Sequence, residues 1–456
     1  MITLVFACFL GLAAAIALVD WRRGWMLAIV VAVLQDPARK LTPGTPVVMT
    51  FSIVLVYLLV LFGAQRMLMR NYADFSRRFG RLYLAGALFF LFLILATFNG
   101  LMTYGIELWK VPALSLFIYC APVPAVILGY AFVNREEALH SFFRFYAIVT
   151  SIALVGTVLE YFDAAVPGLG LVGLEGPYIR HLPGIQVRML SGFYRAPDIM
   201  GWHAATLTSI CIYMAVRRGL GAKSWPWIIP AAWGFLNCMI SGRRKAVYMV
   251  VVYAAVVLWR YYRRLTVTQL FALGMMAVAV LFVLRGISSD EKSSVYTRGA
   301  ATSRWEVWER IGGGVTYTIE QFGFMGAGLG TATQGVRHLL GRDQLGWQEG
   351  GLGKLTVELG VPGLLAAAFF AFVLFRTMFL ISRYPDEPGS PQLLRVALFA
   401  LITANVVNFL ASAQAYSDAG LTLTTAFFLG SLFATARLSE LPAAEAAAPV
   451  MQPATA

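Results

Sequence analysis

The sequence is poor in charged side chains, and this scarcity excludes a soluble fold. Charged residues occupy 13% of the 456 positions, against about 25% in ordinary soluble domains. Hydrophobic residues occupy 59%, and a soluble protein of this size could not bury that much apolar surface. Apolar stretches near the ~20 residues that cross a bilayer as a helix recur at 2–19, 47–63, 82–98, 111–132, 142–158, 267–284 and 352–375. We predict an all-α polytopic membrane protein with 12 or 13 transmembrane helices, because lipid offers backbone groups no partner outside their own helix.

Cysteine is also scarce, and its positions exclude a disulfide framework. The four cysteines lie inside apolar stretches without the spacing of metal ligands, which predicts small core residues instead: Cys8, Cys120, Cys211 and Cys238. The first apolar stretch has no basic segment before it, whereas Arg22 and Arg23 follow it. We therefore interpret it as a retained helix and not as a secretory signal.

The net charge of +13 does not indicate nucleic-acid binding, because no basic face or recognition module is present. Arginines in short loops orient the spans and contact anionic headgroups. The most basic loop, with one aspartate among its arginines, should be cytoplasmic: Arg66, Arg70, Arg77, Arg78 and Arg81. Alternation then also places inside 134–140, 217–223, 259–264 and 383–395. It places outside 100–110, 164–199, 241–245, 285–351 and 413–420.

This pattern divides the chain into six parts. Transmembrane helices occupy 1–163, 200–284 and 352–437, and a disordered cytoplasmic tail occupies 438–456. Two long external segments, 164–199 and the larger periplasmic 285–351, should contain short amphipathic helices. Residues 24–34 are too short for an ordinary span, so they form a re-entrant segment or a tilted helix, and the side of the N-terminus stays open.

Three adjacent cations follow Ser241-Gly242 on the predicted outer side, which violates the usual charge bias. Binding an anion at the membrane surface would explain the violation, as would a headgroup anchor or an error in the span count. The first external segment adds Arg180, His181, Arg188 and Arg195, and guanidinium groups match phosphate geometry. Asp198, just inside the next helix, is predicted to cap the helix or to interact with its dipole.

The second external segment contains further candidates. Arg304 stands beside Trp305 and Trp308, whose i, i+3 spacing predicts a helix at the membrane interface. The glycines of 326–330 predict a tight turn with close backbone approach and not a nucleotide loop. Glu349 lies where the chain re-enters the membrane, and it is a candidate general base or simply an acid at a helix N-terminus.

Two other groups in this region have open roles. Glu358 lies deeper in the span that begins at residue 352 and is predicted to pair with Lys354 four residues earlier. His338 is the only histidine of the second segment. An unperturbed pKa near 6.5 makes it an alternative base.

Four stretches, taken in order, resemble the bacterial O-antigen ligase and O-antigen polymerase family, which are membrane glycosyltransferases of the GT-C type. RMLSGFYRAPDIMG at 188–201 resembles the family's Arg–Gly–Phe…Pro-Asn…Gly stretch, with Asp198 in the usual Asn position. The other three are SGRRKA at 241–246, Arg304-Trp305 followed by FGFMGAGLG at 322–330, and ELGVPG at 358–363. The resemblance covers roughly residues 185–375.

The chain departs from the family at one important position. Family members commonly carry His-Asn nine residues before the closing glutamate, and that histidine is taken as the catalytic base. Here the position is Glu349, counted back from Glu358. Either Glu349 performs the base chemistry, or His338 has taken it over, or the activity differs.

The resemblance implies an inner-membrane glycosyltransferase that polymerises polyprenyl-diphosphate-linked oligosaccharide repeats at the periplasmic face, by inversion and without metal or another cofactor. Arg243, Arg244 and Arg304 would bind the diphosphate of the donor, with Arg188 or Arg195 in support. The partners would be the lipid-linked donor, a glycan acceptor and the bilayer, with chain-length regulator and flippase proteins as further candidates. Alternatives are a ligase acting on lipid A-core or protein, a transporter or flippase for lipid-linked saccharides, and a structural assembly partner.

Overall fold

A computed structural model describes residues 2–170, 178–182, 185–219, 221–261, 304–333, 346, 348–385 and 392–438. Within these ranges the chain is all-α, apart from one two-stranded hairpin. The fourteen helices are α1 Ile2–Val19, α2 Trp21–Lys40, α3 Ser52–Gly63, α4 Gln65–Arg78, α5 Gly80–Tyr104, α6 Lys110–Phe132, α7 Glu136–Tyr161, α8 Pro197–Arg217, α9 Trp225–Ile240, α10 Arg244–Tyr261, α11 Arg304–Phe322, α12 Gly351–Ile381, α13 Gln392–Ala411 and α14 Ala419–Leu438.

The described helices confirm a polytopic membrane protein. Eight of them are long and apolar enough to cross a bilayer, or nine spans if the bent pair Val47–Gly63 and Gln65–Arg78 is included. Helices α2, α9 and α10 fall outside that set but connect the same two ends of the bundle. The predicted span 267–284 and the predicted tail from residue 439 onward lie outside the described residues.

Contacts between loops divide the bundle into two ends. At one end, which we call the hairpin end, Lys245 contacts Ser412 and Arg195 contacts Asp418. At the other, the α4 end, Arg437 donates to Asn71 and Arg217 pairs with Glu136. Each described loop that the charge pattern assigns to the outside lies at the hairpin end, and each described inside loop lies at the α4 end.

The start of the chain shows which of the two predicted alternatives residues 24–34 adopt. They belong to the continuous 20-residue helix α2, whose N-cap Asp20 accepts hydrogen bonds from the backbone N–H of Arg22 and Arg23. Their predicted alternatives, a re-entrant segment or a helix with polar ends, are thus decided in favour of the helix. The Thr3 and Thr42 hydroxyls lie 3.0 Å apart, which puts the start of α1 at the hairpin end.

The first external segment contains a hairpin where we predicted amphipathic helices. Strands β1 (Tyr178–Leu182) and β2 (Ile185–Met189) pair antiparallel, with Tyr178 opposite Met189. In β2 the sequence Ile-Gln-Val-Arg-Met alternates apolar and polar residues with period two, which is the signal of a strand and not of a helix. The second segment does contain a helix, since α11 begins at Arg304, although the Trp305 and Trp308 side chains lie outside what the structure describes.

Small residues let the central helices approach closely. A Cβ atom added to Gly430 of α14 would lie 1.8 Å from the carbonyl oxygen of Val126 in α6. One added to Gly129 of α6 would lie 2.0 Å from the carbonyl oxygen of Phe427. Helices within a bilayer associate largely through close packing of this kind, because lipid provides little hydrophobic driving force for their association. At these two glycines the backbones of α6 and α14 therefore lie in direct contact.

The charge pattern and the two ends together give a prediction about orientation. A cysteine placed at exposed Glu107, on the hairpin end, should react with a membrane-impermeant maleimide in intact spheroplasts. A cysteine at exposed Lys223, on the α4 end, should react only after permeabilisation. Both are measured in a background without Cys8 and Cys120, since the other two native cysteines are buried. The reverse labelling pattern would overturn the assignment of the basic α4 end to the cytoplasm.

Candidate functional site

Charged groups from two helices hold the loop between β2 and α8 in place. The Glu160 carboxylate at the end of α7 accepts hydrogen bonds from the backbone N–H of Ser191 (2.9 Å) and Gly192 (2.6 Å). The Lys40 ammonium at the end of α2 donates to the carbonyl oxygens of Gly192 (2.9 Å) and Tyr194 (2.7 Å). Buried charge-assisted hydrogen bonds of this kind are short and strong. The loop that leads to Arg195 and Asp198 is therefore held through backbone N–H groups, by Glu160, and through backbone carbonyl oxygens, by Lys40.

Arg195 lies between two buried carboxylates. Its Nη2 is 2.6 Å from Asp418 Oδ2, its Nη1 is 3.7 Å from Asp36 Oδ1, and its backbone N–H donates to Asp36 Oδ2 at 2.9 Å. Burial acts to lower the pKa of the guanidinium, but Asp418 and Asp36 together raise it above its usual range. The network joins α2, the β2–α8 loop and the start of α14. This geometry favours a structural role for Arg195, and its predicted contact with a diphosphate stays a prediction.

A cluster of cations, which we call the basic cluster, consists of Arg243, Arg244 and Lys245 at the start of α10. The Asp198 carboxylate bridges two of them, with Oδ2 2.8 Å from Arg243 Nη2 and Oδ1 2.5 Å from Lys245 Nζ. Asp198 is 8% exposed and Arg244 is 7% exposed. Asp198 lies in the first turn of α8, where its negative charge suits the helix dipole. The cluster is thus a nearly buried cationic site that already contains one anionic group.

Strand β2 packs directly against the basic cluster. Gly242 has a φ of 68°, and a Cβ atom there would lie 3.0 Å from Met189 Cγ and 3.1 Å from Val187 Cγ1. Only glycine accepts both the backbone conformation and the close approach. Arg188, between these two strand residues, forms an ion pair with Asp163 at the surface. The pattern at 241–245 and the pattern at 188–201 are therefore neighbours in space, as their shared outer side predicts.

Glu349 reaches the same region through the start of α12. Its carbonyl oxygen accepts from the backbone N–H of Ala413 at 2.8 Å, and the adjacent Ser412 hydroxyl accepts from Lys245 Nζ at 2.8 Å. The Glu349 carboxylate is near enough to Lys245 to interact with it electrostatically, and its residue is partly exposed. Glu349, a partly exposed residue, thus lies near a cation of the basic cluster. That pair can hold an anionic group and accept a proton next to it.

The remaining candidates are described in part. Arg304 is the first residue of α11, and this helix approaches the start of α12, since a Cβ atom on Gly314 would lie 3.4 Å from Gln348 Oε1. The Arg304 side chain and His338 lie outside the described residues, as do the side chains of Arg180 and His181. Their predicted roles stay predictions.

The glycines of 326–330 form the close-packed turn that the sequence predicts. A Cβ atom on Gly328 would lie 2.1 Å from the Gly100 nitrogen, and one on Gly326 would lie 2.6 Å from the Val357 carbonyl oxygen. The turn donates from Ala327 N–H to that carbonyl at 2.7 Å, beside Gly360, where α12 is broken by a φ of 68°. The turn therefore satisfies backbone groups at a break in a helix.

Glu358 lies beneath this turn and does not form the predicted pair with Lys354. It is fully buried, and its carboxylate accepts from the hydroxyls of Tyr119 and Thr333, each at 2.6 Å, and from the Ala332 N–H at 3.3 Å. The Lys354 ammonium lies instead over the Tyr119 ring, 5.6 Å from its centre. The Glu358 contacts join α6, the segment after the glycine turn and α12. They indicate that its role is structural.

This arrangement predicts a loss of stability in Glu358→Ala. Removing the carboxylate leaves the buried Tyr119 and Thr333 hydroxyls without their acceptor, and each such group costs about 1–3 kcal/mol. We expect a lower thermal unfolding midpoint in detergent, measured by tryptophan fluorescence. Glu358→Gln, which keeps one acceptor oxygen, should recover part of the loss. Equal midpoints for wild type and Glu358→Ala would contradict the structural role.

Several important residues were missed by sequence reasoning. Asp36, Lys40, Glu160 and Asp418 all bind the β2–α8 loop or Arg195, yet none was singled out. A usable signal existed, because ionisable residues at the ends of apolar helices are costly and normally have a specific partner.

Among the described residues, no group of three or more potential metal ligands comes together.

Comparison of the chain with models of known protein families gave no match, and comparison with curated proteins gave none either.

Proposed function

We propose that this protein is a glycosyltransferase of the bacterial inner membrane that polymerises polyprenyl-diphosphate-linked oligosaccharide repeats, with its hairpin end facing the periplasm. The observation that carries the proposal is that the start of α12 joins the basic cluster at one end of a membrane-spanning bundle: the Glu349 carbonyl accepts from the Ala413 N–H, and the neighbouring Ser412 hydroxyl accepts from Lys245 Nζ. A cationic site suits the diphosphate of a lipid-linked donor, and an adjacent carboxylate suits the acceptor hydroxyl. The resemblance of four ordered stretches to the O-antigen polymerase and ligase family supports the same reaction.

The proposed reaction is a single displacement at the anomeric carbon of the donor. The acceptor hydroxyl oxygen forms the new glycosidic bond, and its proton passes to Glu349. The bond from the anomeric carbon to the diphosphate oxygen breaks, and the electron pair leaves with the polyprenyl diphosphate. Attack opposite the leaving group inverts the carbon, and no covalent enzyme intermediate is required.

The charges near the site fit the leaving group. Arg243, Arg244 and Arg304 would stabilise the negative charge that develops on the diphosphate, as prearranged cations in a water-poor site do most effectively. Arg188 is better suited than Arg195 to assist, because its partner Asp163 is exposed and can be exchanged for a phosphate. Arg195 would contribute indirectly, by holding in place the loop that precedes Asp198.

Chain extension by the purified protein in detergent tests the proposal, using lipid-linked repeats without added metal and reading product length on gels. Arg304→Ala and Arg244→Gln should each lower the extension rate by at least about tenfold, since one lost electrostatic contact to the leaving group typically costs 10²–10³-fold. Arg77→Gln, an exposed arginine of the α4 end, is the matched control and should extend normally. Wild-type protein that extends no chain but moves lipid-linked repeats across a liposome bilayer would replace the proposal with a transporter.

A ligase would use the same site with another acceptor. Supplying lipid A-core in place of the second lipid-linked repeat separates the two activities. Transfer to lipid A-core without chain extension would identify a ligase, whereas chain extension alone would identify a polymerase.

A further inference from the structure

Helix α4 lies across the α4 end of the bundle and not along it. It is bent by 80° from the preceding helix, at a break of a single residue, Ala64. Its sequence, QRMLMRNYADFSRR, contains four arginines and one acidic residue. A strongly amphipathic helix with a basic face typically lies in the plane of a membrane interface.

One face of α4 is fixed to the bundle. Asp74 accepts a hydrogen bond from the Tyr130 hydroxyl at 2.5 Å, and Asn71 accepts one from Arg437 at 2.8 Å. Phe75 is buried between Tyr130 and Phe433, with ring centres 5.5 Å and 5.3 Å from its own. The orientation of the helix about its axis is therefore set by contacts with α6 and α14.

This orientation turns a stripe of arginines outward. Arg66, Arg70 and Arg77 are spaced i, i+4 and i+11, which places them on one line along a helix of 3.6 residues per turn. All three are exposed, and no ion pair with an acidic side chain is found for them among the described residues. Other cations of the same end do have partners, since Arg78 pairs with Asp74 and Arg437 binds Asn71. The stripe is thus charge without a described counterion.

An apolar strip flanks the arginines on the side away from Asp74. Met69 is 74% exposed, and Tyr72 is 40% exposed. The helix therefore has three distinct surfaces: a face that packs on the bundle, an apolar strip, and a cationic stripe beside it. A large exposed methionine beside arginines suits a boundary between acyl chains and headgroups better than bulk water.

We propose that α4 is a binding surface for anionic phospholipids, with Arg66, Arg70 and Arg77 contacting headgroup phosphates while Met69 and Tyr72 enter the acyl boundary. The occupant is a lipid and not a free phosphate, because the apolar strip adds a contact that a soluble anion cannot make. The surface is independent of the proposed transferase activity. Binding there ties the bent α3–α4 corner, and through Asn71 and Asp74 the ends of α6 and α14, to the charged leaflet.

Lipid binding by the full chain tests this surface directly. Dioleoyl phosphatidylglycerol and the matched phosphatidylcholine are titrated into the purified protein in detergent, and bound lipids are counted by native mass spectrometry. The triple variant Arg66→Gln, Arg70→Gln and Arg77→Gln should bind phosphatidylglycerol at least about tenfold more weakly, because it lacks three cations that attract anionic headgroups. Binding of phosphatidylcholine should not change.

A control variant removes the same charge elsewhere: Arg135→Gln, Lys223→Gln and Arg376→Gln, all exposed and outside α4. It should keep wild-type affinity for phosphatidylglycerol. A second variant with lysine at the three α4 positions should also keep binding, which guards against a folding defect as the cause. Equal weakening in the glutamine triple and the control triple would overturn the proposal. So would full competition by inorganic phosphate, which would identify a small-anion site instead of a lipid surface.

Discussion

Replacing Glu349 with glutamine should lower the rate of chain extension by roughly 10²–10⁴-fold, the range that a positioned general base contributes. The substitution keeps the shape of the side chain, and the Glu349 carbonyl that accepts from Ala413 belongs to the backbone. The start of α12 should therefore stay in place while the carboxylate that we propose as the proton acceptor is lost. Single-turnover extension at saturating donor measures the step itself, separate from product release.

Two comparisons make this result specific. Glu107→Gln removes an exposed carboxylate from the same end of the bundle and should extend chains at the wild-type rate. A wild-type rate in Glu349→Gln would exclude this residue as the base. The role would then pass to His338, and His338→Gln should show the loss instead.

Replacing Arg195 with methionine should destabilise the protein by about 3–5 kcal/mol, the usual cost of removing one partner from a buried ion pair. Methionine fills similar volume but leaves the buried Asp36 and Asp418 carboxylates without the guanidinium that lies between them. The loss is measured as a lower unfolding midpoint in detergent. Adding Asp36→Asn and Asp418→Asn to the same chain should restore much of the midpoint, because the repulsion then disappears.

Arg188→Met is the matched control for this prediction. Its partner Asp163 is at the surface, where an ion pair is typically worth about 0–1 kcal/mol. The midpoint should therefore change little. Equal losses in the two variants would mean that the Arg195 network contributes no more than a surface pair, and the structural role assigned to it would be wrong.

The sequence predicts the bundle well because lipid imposes a simple rule on it. Long apolar stretches must be helices, and arginine bias groups the loops on two sides, so the contacts of 100–110, 241–245 and 413–420 at one end could be anticipated. The close approach at Gly328 could also be anticipated, since a run of glycines has little other use between spans. These inferences depend only on local composition.

What the sequence does not reveal depends on partners far away in the chain. In the sequence, Asp198 resembles an ordinary acid at a helix N-terminus, but in the structure it pairs with Arg243 and Lys245. Likewise, Glu358 is spaced to pair with Lys354, but in the structure its carboxylate accepts hydrogen bonds from Tyr119 and Thr333. A carboxylate has several acceptable partners, and only tertiary structure selects among them. The hairpin was missed for a different reason, because its period-two alternation covers only a few residues.

The contacts of the hairpin end also impose an order on assembly. Lys245 and Arg195 take partners from Ser412 and Asp418, which a ribosome makes more than 150 residues later. Until those residues are inserted, Arg195 lacks its ion pair with Asp418, and the carbonyl of Glu349 lacks its donor from Ala413. A nascent chain interrupted before residue 412 would hold every arginine of the cluster and still lack the contacts that join this cluster to the start of α12.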